Sequence, residues 1–274
     1  MHTSRLANSS VLLSLFLILL PILSTIGTQM VNFYGNNVVL LMLILLLALV
    51  PILVAFDKIS GKTLQLAILV TAIALLFHTS LISMHVWGAD IHHEYYFSSL
   101  VQNSSFWDSS IADEYNAMLS VSILPPIISA VCGISLTWVF KIVYPLIFSF
   151  VPLVLYQTFR RQISDKIAFS AVYFFMSVFT FFTEMNSIAR QQLAEVFFVL
   201  IVLMAINKSI DYRKKTALVV IFGVSLALSH YALTYIFIWS LIIALTLSFF
   251  LRKKAFNRFL EEKSFIKEKS HDSV

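Results

Sequence analysis

The chain has a single cysteine, Cys132, among 274 residues. That excludes an intrachain disulfide and a zinc site built from thiolates. Charge is scarce too: Asp, Glu, Lys and Arg make up 12% of the residues, where a soluble domain carries about a quarter. No P-loop, GxGxxG, CxxC or HExxH occurs, so nucleotide, dithiol and zincin chemistry have no local signature. There is no convincing internal repeat, which leaves an inverted-repeat transporter without direct support. No stretch has the composition of a soluble domain.

What is present is long and apolar. Hydrophobic residues are 59% of the chain, 25 of them Phe, and the mean hydropathy is +0.89. A bilayer core of about 30 Å takes about 20 apolar residues as a helix. Runs near that length predict spans at 10–28, 38–56, 64–84, 137–159, 166–183, 188–206, 216–229 and 231–250. The last two divide one apolar stretch that is too long for a single crossing at about 1.5 Å per residue. Ser229-His230-Tyr231 is the polar place to turn. The stretch 117–134 is apolar but short, with Pro125-Pro126 in its middle, and proline inside a helix removes donors. It is expected to be interfacial or re-entrant on the outer side. The first span lacks a clear small-residue cleavage site, so an uncleaved anchor is expected.

The expected fold is therefore all-α: a polytopic membrane helical bundle of about eight spans. It comprises a membrane domain over 1–251, an outer loop of juxtamembrane helices at about 85–136 and a basic tail over 252–274. Basic residues set the orientation. With 117–134 not crossing, all but Lys141 and Arg190 of the 19 basic residues fall on one side. Both termini are then cytoplasmic in a multi-pass cell-membrane protein. The net charge of +5 is mostly this bias plus the tail, and is no nucleic-acid signature. The tail is a solvated flank, or a segment lying on anionic membrane lipids.

Between Lys62 and Lys141 there is no Lys or Arg, yet the outer loop carries Asp90, Glu94, Asp108, Asp113 and Glu114. If HVWGADIHHEYYF is helical, Asp90 and Glu94 project from one face just above a span. The plain alternative is a solvated acidic loop from which cations are excluded. Asp90, His92 and His93 are weak candidates for a metal, since adjacent histidines lack a diagnostic spacing. Asn103-Ser104-Ser105 is a glycosylation sequon on the expected outer side. A second outer segment, FFTEMNSIARQQLAE, brings Glu184, Arg190 and Glu195 to the mouth of the spans. Arg190 either pairs with Glu184 or Glu195 or receives an anion such as phosphate. His230 and Tyr231 form a third outer turn.

The stretches GADIHHEYYF, LSVSILPPIISAVCGI, VFKIVYPLIFSFVPLVLY, IARQQLAEVFF and LSHYALTYI resemble the GT-C superfamily of membrane glycosyltransferases. They look closest to an archaeal family of membrane proteins placed near it, over roughly 80–240. The resemblance implies transfer of a sugar from a polyprenyl-phosphate donor to an acceptor at the outer face, with a divalent metal in some members. It assigns the base to Asp90, with Glu94 second and Glu184 as an acid of a later loop. Arg190, Lys141, His230 and Tyr231 are then the candidate substrate-binding residues. About eight spans, where the superfamily usually has more, and no C-terminal soluble domain mark a shortened member or a piece of one. Two other readings stay open: a transporter or lipid flippase, and a noncatalytic assembly subunit.

Overall fold

The computed structural model describes residues 2–271, with side chains over 11–253. The described residues contain helices and no strand. In chain order these are α1 (His2–Tyr34), α2 (Val38–Ala55), α3 (Lys62–Ser80), α4 (Asp90–Ser104), α5 (Glu114–Ala117), α6 (Leu119–Ser122) and α7 (Leu124–Cys132). α8 (Leu136–Trp138), a π turn (Val139–Val143), α9 (Tyr144–Phe148) and α10 (Phe150–Phe159) then run on as one rod. α11 (Asp165–Ser177), α12 (Phe179–Phe182), a 3-10 turn (Glu184–Ser187), α13 (Ala189–Ile206), α14 (Tyr212–Ser229) and α15 (Tyr231–His271) complete the chain.

Residues up to Tyr231 form one compact unit, and the chain from Ala232 onward forms another. The second unit is α15, whose Tyr231–Lys253 part is long and apolar enough to cross a membrane. The basic tail lies within it as continued helix to His271, but its side chains from 254 and the residues 272–274 lie outside the described ones.

Among the described residues six helices meet the length and apolarity needed to cross a membrane: Val11–Tyr34, Val38–Ala55, Lys62–Ser80, Leu136–Phe159, Ala189–Ile206 and Tyr231–Lys253. The protein is thus a multi-pass helical membrane protein. The expected count of eight is not reached, for two physical reasons. The span expected at 166–183 is broken, because Val178 is extended and the pieces on either side meet at 66°. Taken as one bent span, it brings the count to seven. The span expected at 216–229 is the apolar part of α14, whose first turn holds Arg213, Lys214 and Lys215. The remainder is about 21 Å long, short of a bilayer core of about 30 Å. α14 nonetheless runs back along α13. Lys215 Nζ donates to the carbonyls of Ala205 and Asn207 at one end, and Ser120 Oγ donates to the Ser229 carbonyl at the other.

The first unit has two cores. The larger lies among the rods, with Leu43, Val50, Ile68, Leu76, Phe148, Phe169 and Met176 fully buried. The smaller joins the loop helices α4–α7 to the rod ends through Ile91, Val121, Leu136, Phe140, Tyr144 and Ala189. α6 and α7 are too short to span. They bury Ser120, Val121, Ser122, Pro125, Pro126 and Ser129, and expose Ile127 and Val131.

The two ends of this unit differ in charge. At one, Lys166 pairs with Asp57 and Arg160 with Asp165, and Lys215 bonds the end of α13. At the other stand α4–α7 with their acids. Close contacts between α1 and α2 depend on Gly27, where a Cβ would sit 2.4 Å from Leu40 Cδ2 and 2.9 Å from Leu40 Cγ. A Cβ on Gly223 of α14 would meet nothing within 4 Å. The two glycines should therefore respond with opposite sign in detergent-solubilised thermal unfolding. Gly27→Ala is expected to cost about 1–3 kcal/mol by overpacking, whereas Gly223→Ala gains up to about 1 kcal/mol of helix propensity.

Candidate functional site: a buried arginine between two carboxylates

Asp90 and Glu94 occupy the first and second turns of α4, four residues apart, so their side chains leave one face. That face meets the start of α13. Arg190 Nη1 lies 2.7 Å from Glu94 Oε1, and Arg190 Nη2 lies 2.5 Å from Asp90 Oδ2. Glu94 Oε2 also accepts from Ala189 N at 2.8 Å, and Oε1 from Arg190 N at 3.4 Å.

The first N–H groups of a helix have no partner within it, and Ile188, ahead of α13, offers no side-chain cap. Glu94 caps α13 from another helix. Its negative charge also suits the positive end of the helix dipole.

Burial divides the two acids. Glu94 is 0% exposed, whereas the Asp90 side chain is 37% exposed. The guanidinium between them lies over the Tyr115 ring, 4.8 Å from its centroid. Desolvation pushes the Glu94 carboxyl up to about 7, against the opposing pull of Arg190 and of the two backbone donors. Burial likewise raises the Tyr115 phenol. Burial first, then the charge of Arg190, pushes His230 down from its ordinary value, so its imidazole stays neutral at pH 7. His230 is buried and stacks on Tyr231 at 5.7 Å. Ser120 Oγ donates to the Ser229 carbonyl, which joins the 229–231 turn to the loop helices.

Arg190 pairs with neither of the partners expected for it. Glu195 accepts instead from Gln191 Nε2 at 2.9 Å. Glu184 is exposed and forms no ion pair among the described residues. Its turn still reaches the site, because Gly88 packs directly on Ser187. Gly88 has φ +126°, and a Cβ there would lie 2.1 Å from Ser187 Cβ.

Lys141 is not poised for a ligand. It is buried in the π turn, and its three N–H groups face three carbonyls: Ser80 and Ser83 at 2.5 Å and His85 at 3.1 Å. It closes the C-terminal end of α3 and fixes the loop that leads to Asp90. His92 and His93 are exposed, and His93 stacks on Tyr115 at 5.3 Å. Among the described residues no group of three His, Cys, Asp or Glu is placed to hold a metal ion.

Tyr115 is a site residue that the sequence reading did not single out. It sits in a four-residue helix whose cap, Asp113, accepts from its backbone N–H at 2.8 Å. An Asp-x-Tyr start in an acidic loop was the only available signal. Comparison with protein-family models, curated proteins and solved structures finds no match to this chain.

Two outcomes follow from this geometry. Arg190→Met leaves Glu94 buried without its cation and should cost about 3–5 kcal/mol. Arg190→Met with Glu94→Gln should recover part of that loss, giving a coupling above about 1 kcal/mol in a double-mutant cycle. Additive losses would mean that the pair is not coupled. The second outcome concerns pH. Glu94 titrates near 7 when folded against an ordinary 4.5, so between those values the folded chain holds a proton that the unfolded chain has released. Its stabilising contribution is complete below 4.5 and disappears as pH rises through 7. An infrared difference spectrum should show a carboxylic-acid band that is lost on raising pH through about 7 and absent in Glu94→Gln. A band unchanged by that substitution would assign the proton elsewhere.

Proposed function

We propose that this chain is a membrane glycosyltransferase that takes a sugar from a polyprenyl-phosphate donor at the outer membrane face. The observation that carries the proposal is the partly exposed Asp90 carboxylate, fixed by a buried guanidinium that Glu94 anchors. In this reaction Asp90 accepts the proton of the acceptor hydroxyl as its oxygen attacks the anomeric carbon. The bond from that carbon to the phosphate oxygen breaks, and the polyprenyl phosphate leaves with the electron pair. Glu184, exposed on the turn that packs against Gly88, remains the second acid within this face.

Arg190 is assigned a different task from a phosphate clamp. Two carboxylates already surround it, so a phosphate there would add a third anion around one cation. It acts through Asp90 as a positioning residue. The same self-neutralised network favours one rival, a noncatalytic assembly subunit in which the cluster serves only to hold the loop to the spans.

Orientation belongs to the same proposal. The end bearing Lys166, Arg160 and Lys215 faces the cytoplasm by the positive-inside rule, which puts α4–α7 outside and the N-terminus inside. A cysteine introduced at Arg161 should resist an impermeant thiol reagent in intact cells, while native Cys132, which is exposed, should react. The reverse pattern inverts the topology and removes the proposed outer site.

Asp90→Asn tests the chemistry. Asp90 is partly exposed, so its replacement should cost no more than about 1 kcal/mol of stability. Sugar transfer in membranes supplied with a polyprenyl-phosphate sugar should nevertheless fall by about 10²–10⁴-fold. Unchanged transfer would take Asp90 out of the mechanism. Absence of transfer by the unaltered protein, with its fold intact, would favour the assembly subunit.

A further inference from the structure

A second feature stands apart from the arginine cluster. A cavity of about 580 Å³ lies between the last turns of the Val11–Tyr34 span, the end of α3 and the start of α8. That is within the range of about 300–1,000 Å³ typical of small-molecule sites. One wall is polar: Thr25, Thr28, Gln29 and Asn32. Their spacing at i, i+3, i+4 and i+7 makes a single stripe along α1. The facing wall is apolar, with Leu81, Met84, Ile134 and Trp138 among its residues. A polar stripe inside a membrane span is costly when it faces hydrocarbon, so its burial against an amphipathic ligand is favourable.

The hydrogen-bond inventory narrows the ligand. The Thr25 hydroxyl donates to the Pro21 carbonyl at 3.0 Å, and the Thr28 hydroxyl to the Thr25 carbonyl at 2.9 Å. Asn32 Nδ2 donates to the Leu81 carbonyl at 3.0 Å. Thr28 is buried, so the cavity meets the Thr25 hydroxyl oxygen, the Asn32 amide with one N–H still uncommitted, and the exposed Gln29 amide, which both donates and accepts. The wall therefore offers uncharged donors and acceptors together. No Lys, Arg or His lines it, so a phosphate or carboxylate head has no counter-ion there. A head rich in hydroxyl groups, each of which donates and accepts, satisfies this wall, and an alkyl or prenyl chain satisfies the apolar one.

We propose that this cavity binds a neutral lipid whose head carries hydroxyl groups, with its chain leaving into the membrane past Met84 and Trp138. The site is independent of the glycosyl-transfer reading and stands or falls separately from it. The test uses two photoreactive probes that share one diazirine-bearing alkyl chain, one with a maltoside head and one with a phosphate head. With the full-length protein in nanodiscs, the maltoside probe should label peptides containing 25–34 or 134–142 about tenfold more than the phosphate probe, the equivalent of one net hydrogen bond. Gln29→Leu alters an exposed side chain and should remove that preference without affecting folding. Met84→Trp, at another exposed position, should fill the cavity and lower labelling by both probes. Equal labelling by the two heads, labelling confined to other peptides, or a preference that survives Gln29→Leu would overturn the proposal.

Discussion

The contact on which the end of the protein bearing α4–α7 depends is the Glu94 carboxyl at the N-terminus of α13. One side chain meets three demands at once. It receives the two backbone N–H groups with which α13 begins, it accepts from a buried arginine, and it ties a loop helix to a membrane span. Without it, the start of α13 would hold unsatisfied donors away from water, and such groups are costly. Arg190 then turns outward to Asp90, so the position of the half-exposed carboxylate is inherited from the buried one. The loop helices are held by this electrostatic pin and by the small core of Ile91, Val121, Leu136, Phe140 and Ala189 around it.

Lys141 is the counterpart at the opposite kind of helix end. A cation suits the carbonyl end of a helix as an anion suits the amide end, and Lys141 gives its three donors to carbonyls at and beyond the close of α3. The π turn at Val139–Val143 places it there, since one wider turn swings a side chain off the regular helical face. Gly88 completes the frame, because any side chain at that position would collide with Ser187. Three devices on three segments thus set the stretch from Ser80 to Asp90.

Much of this was legible in the sequence, and the exceptions have physical causes. The apolar runs gave six of the spans, because a helix of 18 or more apolar residues has few other uses. The proline pair and shortness of 117–134 marked a stretch that forms two short helices. The break at Val178 left no trace, as FFMSVFTFF holds no proline, glycine or charge to mark it. α14 was counted on its apolar part, although its first turn carries three cations. The acids of α4 and the isolated Arg190 stood out by rarity, yet sequence distance could not pair residues about a hundred positions apart. Nearness along the chain suggested Glu184 and Glu195, and tertiary contact supplied Asp90 and Glu94 instead. Lys141 stood out for the same scarcity of cations, but its partners are backbone carbonyls, which no sequence displays.

Asp90 and Glu94 are the same functional group, one turn apart on one helix, bound to one guanidinium, and they are suited to opposite tasks. Environment makes the difference, as it does wherever two carboxyls share a site. Glu94 has lost all contact with solvent, and its oxygens are held by Arg190 and by backbone donors. No substrate can reach it. Asp90 keeps contact with solvent through a side chain that is 37% exposed, while Arg190 Nη2 holds its Oδ2. The base proposed at Asp90 must be fixed against thermal wandering yet open on one side. A direct bond from Asp90 to the spans would have fixed it by burying it. Interposing Arg190, with Glu94 beneath, moves the desolvated charge one residue inward and leaves the outer carboxylate at the boundary with water.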